Sequence, residues 1–494
     1  MQLWKLAGSA AFLALCAANP ALADVTPEEV WQSWQDVFTS AGSTVTTTSA
    51  ARDGDTFVVT GFKASHDGAE SKGETAIPEI RLRDKGDGTV ELTLSDEASF
   101  SSTAPGIEGG KAMGAKGGMK MPGLVGTVSG SAEDMAYAFV MPSVDFAIEP
   151  TEDGQPVGKI GMLLSDSTST YHLSGPAEAK VLDGAFTAAS AAINLQIKDS
   201  GTDFSGSLNV ADLSGSTKGS FAGIEEEEVA VALSKGFAID SSLSYGALNY
   251  SFDINDENGP SQMVGGSAGG AFQIVMNAAQ MILAGGGKQV EATLSSAALP
   301  FPEMKLSYAE SAVNLTMPLS KSDAPQDFTV LVKLVDLQVS EELWGMFDPT
   351  GLLPHDPATV IIDTSGQAIL KSDLMTTPEG ATPAGEPLSF TVNDLTARIA
   401  GAELTGKGAF TFDNTDMTTF DGFPAPTGTM ELKLTGANGL LDKLVKMGLL
   451  SPDDAMGARM MMAMFAKATA GEDLLTSVLE FKDKHFYANG QQLQ

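Results

Sequence analysis

The sequence predicts an α+β fold that is predominantly β: extended, twisted antiparallel sheets, grouped in two related lobes, with a few capping helices. Three observations predict it. Glycine is abundant (53 residues) while charged residues make up only 19% of the chain, which suits many short strands joined by tight turns. Segments that alternate in polarity recur around glycine-containing turns, as strands with one apolar and one wetted face do. Helical stripes are few, and each carries its own start and stop signals.

In chain order, residues 1–23 read first as a cleavable secretory leader. Lys5 supplies the positive start, residues 6–16 a short apolar run, and Ala21-Leu22-Ala23 the small-x-small cleavage site. The run is too short to cross a bilayer. Cleavage makes Asp24 the mature N-terminus and removes Cys16, the single cysteine, so the mature chain has neither disulfides nor thiol chemistry. The expected location is the periplasm, with no transmembrane anchor after cleavage.

Thr26-Pro27-Glu28-Glu29 then supplies an N-cap, a first-turn proline and a capping-box glutamate. Val30, Trp31, Trp34, Val37 and Phe38 fall on one helical stripe that Gly42 ends. Residues 77–84 and 89–95 form a hairpin around Gly86-Asp87-Gly88. Residues 105–123, glycine-rich with Lys111, Lys116 and Lys120 among Met113, Met119 and Met121, read as loosely ordered surface. The four acids at 225–228 mark a solvated helix start. Two further hairpins are expected, 237–244 with 247–254 around Tyr245-Gly246, and 358–364 with 368–374 around Ser365-Gly366.

Ser340 caps a segment carrying Leu343, Trp344 and Phe347, and residues 378–387 form a Pro/Gly/Thr loop. Asn438 starts a helix with Leu440, Leu441, Leu444 and Val445 that stops near Gly448. Ser451-Pro452-Asp453-Asp454 opens the last one, through Met456, Met460, Met464 and Phe465. A helix followed by a hairpin thus repeats near 27–63, 223–255, 340–371 and 438–493, as in a sheet extended by similar units. A Val-x-Asp-Leu string recurs at 210–213 and 392–395, with Leu334-Val335-Asp336-Leu337 similar; it marks either the repeat or turn chemistry at strand ends. The lobes are expected at 24–300 and, with the helices, at 301–494.

Charge and motifs narrow the function. A net charge of −34 repels nucleic acid and anionic headgroups at long range. Gly265-Gly266-Ser267-Ala268-Gly269 matches the nucleophile-elbow pattern, which needs a strand before Ser267, a helix after it, and an acid and a histidine to activate it. Only His355 and His485 lie downstream, so a glycine-rich bend is the expectation and a serine hydrolase the outside alternative. The four histidines, completed by His66 and His172, have no paired ligand spacing. Asp253-Ile254-Asn255-Asp256-Glu257-Asn258-Gly259 places its glycine one position late for a calcium loop and Val264 where the bidentate glutamate belongs. No metal, cofactor or catalytic residue is assigned. The last helix stands out, because Met460, Met461, Met462 and Met464 leave it almost no polar face. Such a helix is buried, or faces a partner or a lipid.

Leu343-Trp344-Gly345-Met346-Phe347-Asp348-Pro349, followed by Leu353-Pro354-His355-Asp356-Pro357-Ala358, resembles the signature block of a domain-of-unknown-function family of exported alphaproteobacterial proteins. Residues 440–445, 457–462 and 488–491, and the start Asp24-Val25-Thr26-Pro27 with Trp31 and Trp34, resemble the same family. The resemblance brings no enzyme activity and no catalytic residues. More distantly, the repeated strands and closing Asn-Gly turn are similar to AsmA-like envelope proteins, which implies an elongated β-groove and lipid handling. The expected function is therefore a non-enzymatic periplasmic protein that binds or passes an apolar ligand such as a lipid in a β-groove, with Trp344, Phe347, Met460, Met461, Met464 and Phe465 as candidate lining. The alternative is an envelope structural or assembly protein that binds other proteins.

Overall fold

The computed structural model describes residues 24–40, 42–68, 71–106, 110–175, 179–199, 201–223, 228–376 and 385–494. The expected leader, three of the four acids at 225–228 and most of the 378–387 loop lie outside the described residues. The chain is predominantly β, and the described strand pairs run antiparallel. It divides into two interleaved compact units: Met1–Glu225, Lys235–Gly269 and Ser295–Pro300 in one; Glu226–Ser234, Gly270–Leu294 and Phe301–Gln494 in the other.

In the first unit, helix α1 (Pro27–Ser40) opens with the expected capping box. The Thr26 backbone N–H donates to Glu29 Oε2 at 2.8 Å, and the Glu29 N–H donates to Thr26 Oγ1 at 3.3 Å. Its apolar stripe, apart from Val37, which is 41% exposed, joins a buried cluster with the strands Thr56–Asp67, Lys72–Asp84, Val90–Leu94, Val125–Ser131 and Asp134–Glu152. Val30, Trp31 and Trp34 join Phe62, Ile80, Leu82, Leu92 and Val128 in one buried cluster, and Trp31 meets the Phe62 ring edge-on at 5.9 Å. Each large apolar side chain buried there contributes about 1.5–3 kcal/mol.

Beyond that core the sheet continues as long strands in chain order: Asp134–Glu152, Gly158–Ser174, Val181–Asp199 and Thr202–Ser220. All four change face at the same level. Met141 and Val144 are both buried, as are Ala188 and Ala191. Residues three apart on a strand share a face only where the alternation slips by one. Asp166 and Asp212 adopt left-handed φ values of 46° and 52° in the neighbouring strands at that level. The Val-x-Asp-Leu string is therefore a device inside strands rather than at their ends. It places Val210 and Leu213 on one face and turns Asp212 out. Asp336 repeats the left-handed kink (φ 54°), and the register slips between Val392 and Leu395.

Four expectations are corrected. The strands Ala238–Tyr245 and Leu248–Asp256 both form, but each pairs with a different half of Thr202–Ser220 instead of with the other. Residues 358–374 contain a single strand, Ala358–Leu370: Gly366 does not turn, because it faces Phe328 across the ladder and leaves room for that ring. The helix–hairpin repeat accordingly fails at 223–255 and 340–371. Within 105–123, the glycine-rich stretch forms the strand Met113–Lys120, with Gly117 under the Phe100 ring. The hairpin around Gly86-Asp87-Gly88 forms as expected.

The second unit is a meander. The strands Gln280–Ser296, Met304–Pro318, Gln326–Val339, Ala358–Leu370, Gly385–Ile399, Ala402–Asp413, Ala425–Thr435 and Leu474–Lys482 pair each with the next. Helices α2 (Val229–Ser234), α3 (Glu341–Phe347), α4 (Ala437–Lys446) and α5 (Pro452–Phe465) belong to this unit. Among the described residues no helix is long and apolar enough to cross a membrane.

Candidate functional site

The strand registers of the second unit sort its side chains onto two unlike faces. Paired residues of an antiparallel ladder share a face. One row runs Gly285, Val313, Val332, Ile362, Leu395, Gly406, Leu432 and Ser477; its neighbour runs Leu334, Val360, Ala397, Leu404, Leu434 and Leu475. No residue of either row is charged. The opposite face carries Glu310, Lys333, Glu403, Lys407, Glu431 and Lys433, with Lys333 and Glu310 paired at 2.6 Å.

Among the described residues, side chains on the apolar face of its first four strands are open to solvent. Leu283, Val313, Val330, Val332, Val360 and Ile362 are each 37–48% exposed. A soluble sheet ordinarily hides such a face against a helix or another sheet. Contiguous exposed aliphatic surface of this kind is unusual on a sheet face. Backbone donors and acceptors inside the sheet are spent on the ladder, so this surface offers dispersion and hydrophobic contact without directional polar recognition.

The helices gather at one end of the same sheet. α3 follows the strand Gln326–Val339, α4 follows Ala425–Thr435, and the turn at Ala400-Gly401 lies between them: a Cβ on Gly401 would meet Pro354 at 3.0 Å, and Gly436 abuts the Gly401 backbone. α4 lacks a capping side chain of its own, since its N-cap is Gly436. Asp473 caps it from a distant turn, accepting from the N–H groups of Asn438 and Gly439 at 3.1 and 2.8 Å. Burial pushes the Asp473 carboxyl up, but those N–H groups, the Asn438 amide and the nearby Arg459 charge outweigh it and hold it below the usual range. Arg459 of α5 reaches back to Asp442 (2.6 Å) and to Asn438 Oδ1 (3.2 Å), pinning α5 on α4.

That pinning fixes which way α5 faces. Ala455, Ala458, Arg459 and Met462, at helical spacing, turn inward. Met456, Met460, Met461 and Met464 point out at 57–64% exposure, and Phe465 is 37% exposed. On α3, Phe347 is 67% exposed, while Trp344 stacks on the His355 ring at 4.5 Å. His355 Nδ1 in turn contacts Glu341 Oε2 at 2.9 Å. Asp348 ends α3 and organises the loop behind it. Its burial is outweighed by the Leu353, Leu352 and Thr350 donors, which hold its carboxyl below the usual range. The six residues expected to line the groove thus sit on helices at the end of the sheet. The aliphatic rows that do form an open face were missed, because Val330-Leu331-Val332 and Val360-Ile361-Ile362 run apolar without alternation and do not say which side chains share a face.

Residues 272–487 match the model of a family described as an uncharacterized protein conserved in bacteria (DUF2125). The DUF2125 match spans less than half of the chain and coincides with the second unit's sheet and its three end helices α3, α4 and α5. No curated protein matches the chain. Ser267 falls outside the DUF2125 match. It ends the strand Gly259–Ser267 and is followed by the strand Gly269–Met276, so the strand–turn–helix geometry of a nucleophile elbow is absent there. Each histidine is engaged separately: His66 with the Gly42 carbonyl, His172 with Asp134, His355 with Glu341 and His485 with the Asp483 carbonyl. Among the described residues no group of three or more His, Cys, Asp or Glu could hold a metal ion.

Proposed function

We propose that this is an exported, non-enzymatic protein that binds or passes a lipid on the open apolar face of its second unit. The observation that carries this reading is the uncharged aliphatic surface around Val332 and Ile362, exposed to solvent among the described residues. An acyl chain laid there removes apolar surface from water on both sides, at about 25 cal/mol per Å². Export is part of the proposal and rests on the leader pattern of residues 1–23.

Native mass spectrometry of the protein from the periplasmic fraction of its own host tests both parts at once. The expected species begins at Asp24 and carries bound lipid. Val332→Asp places a charge in the middle of the face and should release the lipid while leaving the mass of the chain otherwise as expected. A lipid-free wild-type protein would overturn the binding reading, and an intact leader would overturn the export reading.

A second reading is favoured by the outward face of α5. Flexible thioethers suit adaptable protein contacts, and this helix turns four methionines to solvent. On this reading the chain is an envelope assembly protein. Crosslinking from position 460, followed by pulldown, should then recover a stoichiometric protein partner, which a Met460→Lys, Met464→Lys variant should lose.

A further inference from the structure

We propose that the open face holds a hydrocarbon chain laid across the strands with its headgroup outside the sheet, and that it selects against anionic lipids by long-range repulsion rather than by contact. This rests on the lipid-binding reading above and adds the class of lipid.

The direction of the chain follows from the shape of the exposed sector. Leu283, Val313, Val330, Val332, Val360 and Ile362 come from four successive strands, Gln280–Ser296 through Ala358–Leu370. Three interstrand spacings of about 4.8 Å make the row about 14 Å long. One leaflet of a bilayer, half of a core about 30 Å thick, has much the same depth. One acyl chain therefore covers the sector.

The occupant's chemistry follows from what the row lacks. It has no charge to pair with a headgroup, and no tyrosine, tryptophan or arginine of the kind that anchors protein interfaces. All six exposed side chains are aliphatic. A second copy of the chain could cover the face sheet to sheet, but it would bring another net charge of −34 against the first. The same field acts on a ligand. An uncharged or zwitterionic headgroup is indifferent to it, whereas an anionic one is repelled and finds no cation on the face to compensate.

The test is equilibrium binding of three probes with the same acyl chain to the full mature chain: a monoacylglycerol, a lysophosphatidylcholine and a lysophosphatidylglycerol. Each is measured at about 10 mM and about 1 M salt, where charges are screened over about 30 Å and about 3 Å. The uncharged and zwitterionic probes should bind alike at both. The anionic probe should bind several-fold more weakly at low salt and converge on the others at high salt. Ile362→Asp should lose all three, and Ala409→Asp, on the opposite face, should keep all three. Tighter or equal binding of the anionic probe at low salt would overturn the selection. Failure of all three probes at both salts would overturn the lipid reading itself, as would a dimer in sedimentation that Ile362→Asp dissolves.

Discussion

Asp212 and Asp416 do unlike work with the same side chain. Asp212 takes a left-handed conformation in mid-strand, where a short polar side chain is tolerated and a β-branched one is strained by about 1–2 kcal/mol. Asp212→Val should lose about that much in urea unfolding, and Asp212→Gly should be near neutral. Asp416 is buried in its loop. The Lys484 ammonium at 2.7 Å, then the Thr419 hydroxyl and N–H, hold its carboxyl far below the usual range. A carboxylate depressed on folding stabilises the native state above its unfolded pKa, near 3.9, and that stability drains away as pH falls toward the folded value. Thermal melts from pH 5 down to pH 2 should show the wild type losing stability more steeply than Asp416→Asn. Neither role was legible in sequence: the kink needs the neighbouring strands, and the Asp416 partner is 68 residues away.

Two helices illustrate how far local pattern carries. α1 was readable from its cap to its terminating glycine because these signals and its stripe are local, and of the stripe only Val37 turns out exposed. α5 was readable as a helix, with Ser451 capping Asp454 as expected, but its orientation was not. Arg459, the single charge in its middle, is spent inward on Asp442, which leaves the methionines facing out. The stability of these two helices should differ accordingly. Trp31→Ala removes a buried ring and should cost about 3–5 kcal/mol. Met460→Ala removes exposed surface and should stay within about 0.5 kcal/mol. Denaturant unfolding of the two variants side by side checks the contrast. The hairpins misread at Tyr245-Gly246 and Ser365-Gly366 failed for different reasons. Gly246 does separate two strands, but both pair with Thr202–Ser220, whereas Gly366 lies inside a strand, where it admits Phe328.

For the molecule as a whole, composition was sufficient to give the β-rich class, since alternation and glycine content are global properties. The open face was not recognised because no single strand announces it: it emerges only when the registers align Val313, Val332 and Ile362. The wiring of that sheet has a further consequence. From Gln280 onward each long strand pairs with the next one along the chain, so no contact in the ladder depends on a remote crossover. Relatives could gain or lose a whole hairpin without rewiring the remainder, each one lengthening or shortening the oily surface by about 10 Å. Evolution would thereby have a ruler for setting the width of the sheet.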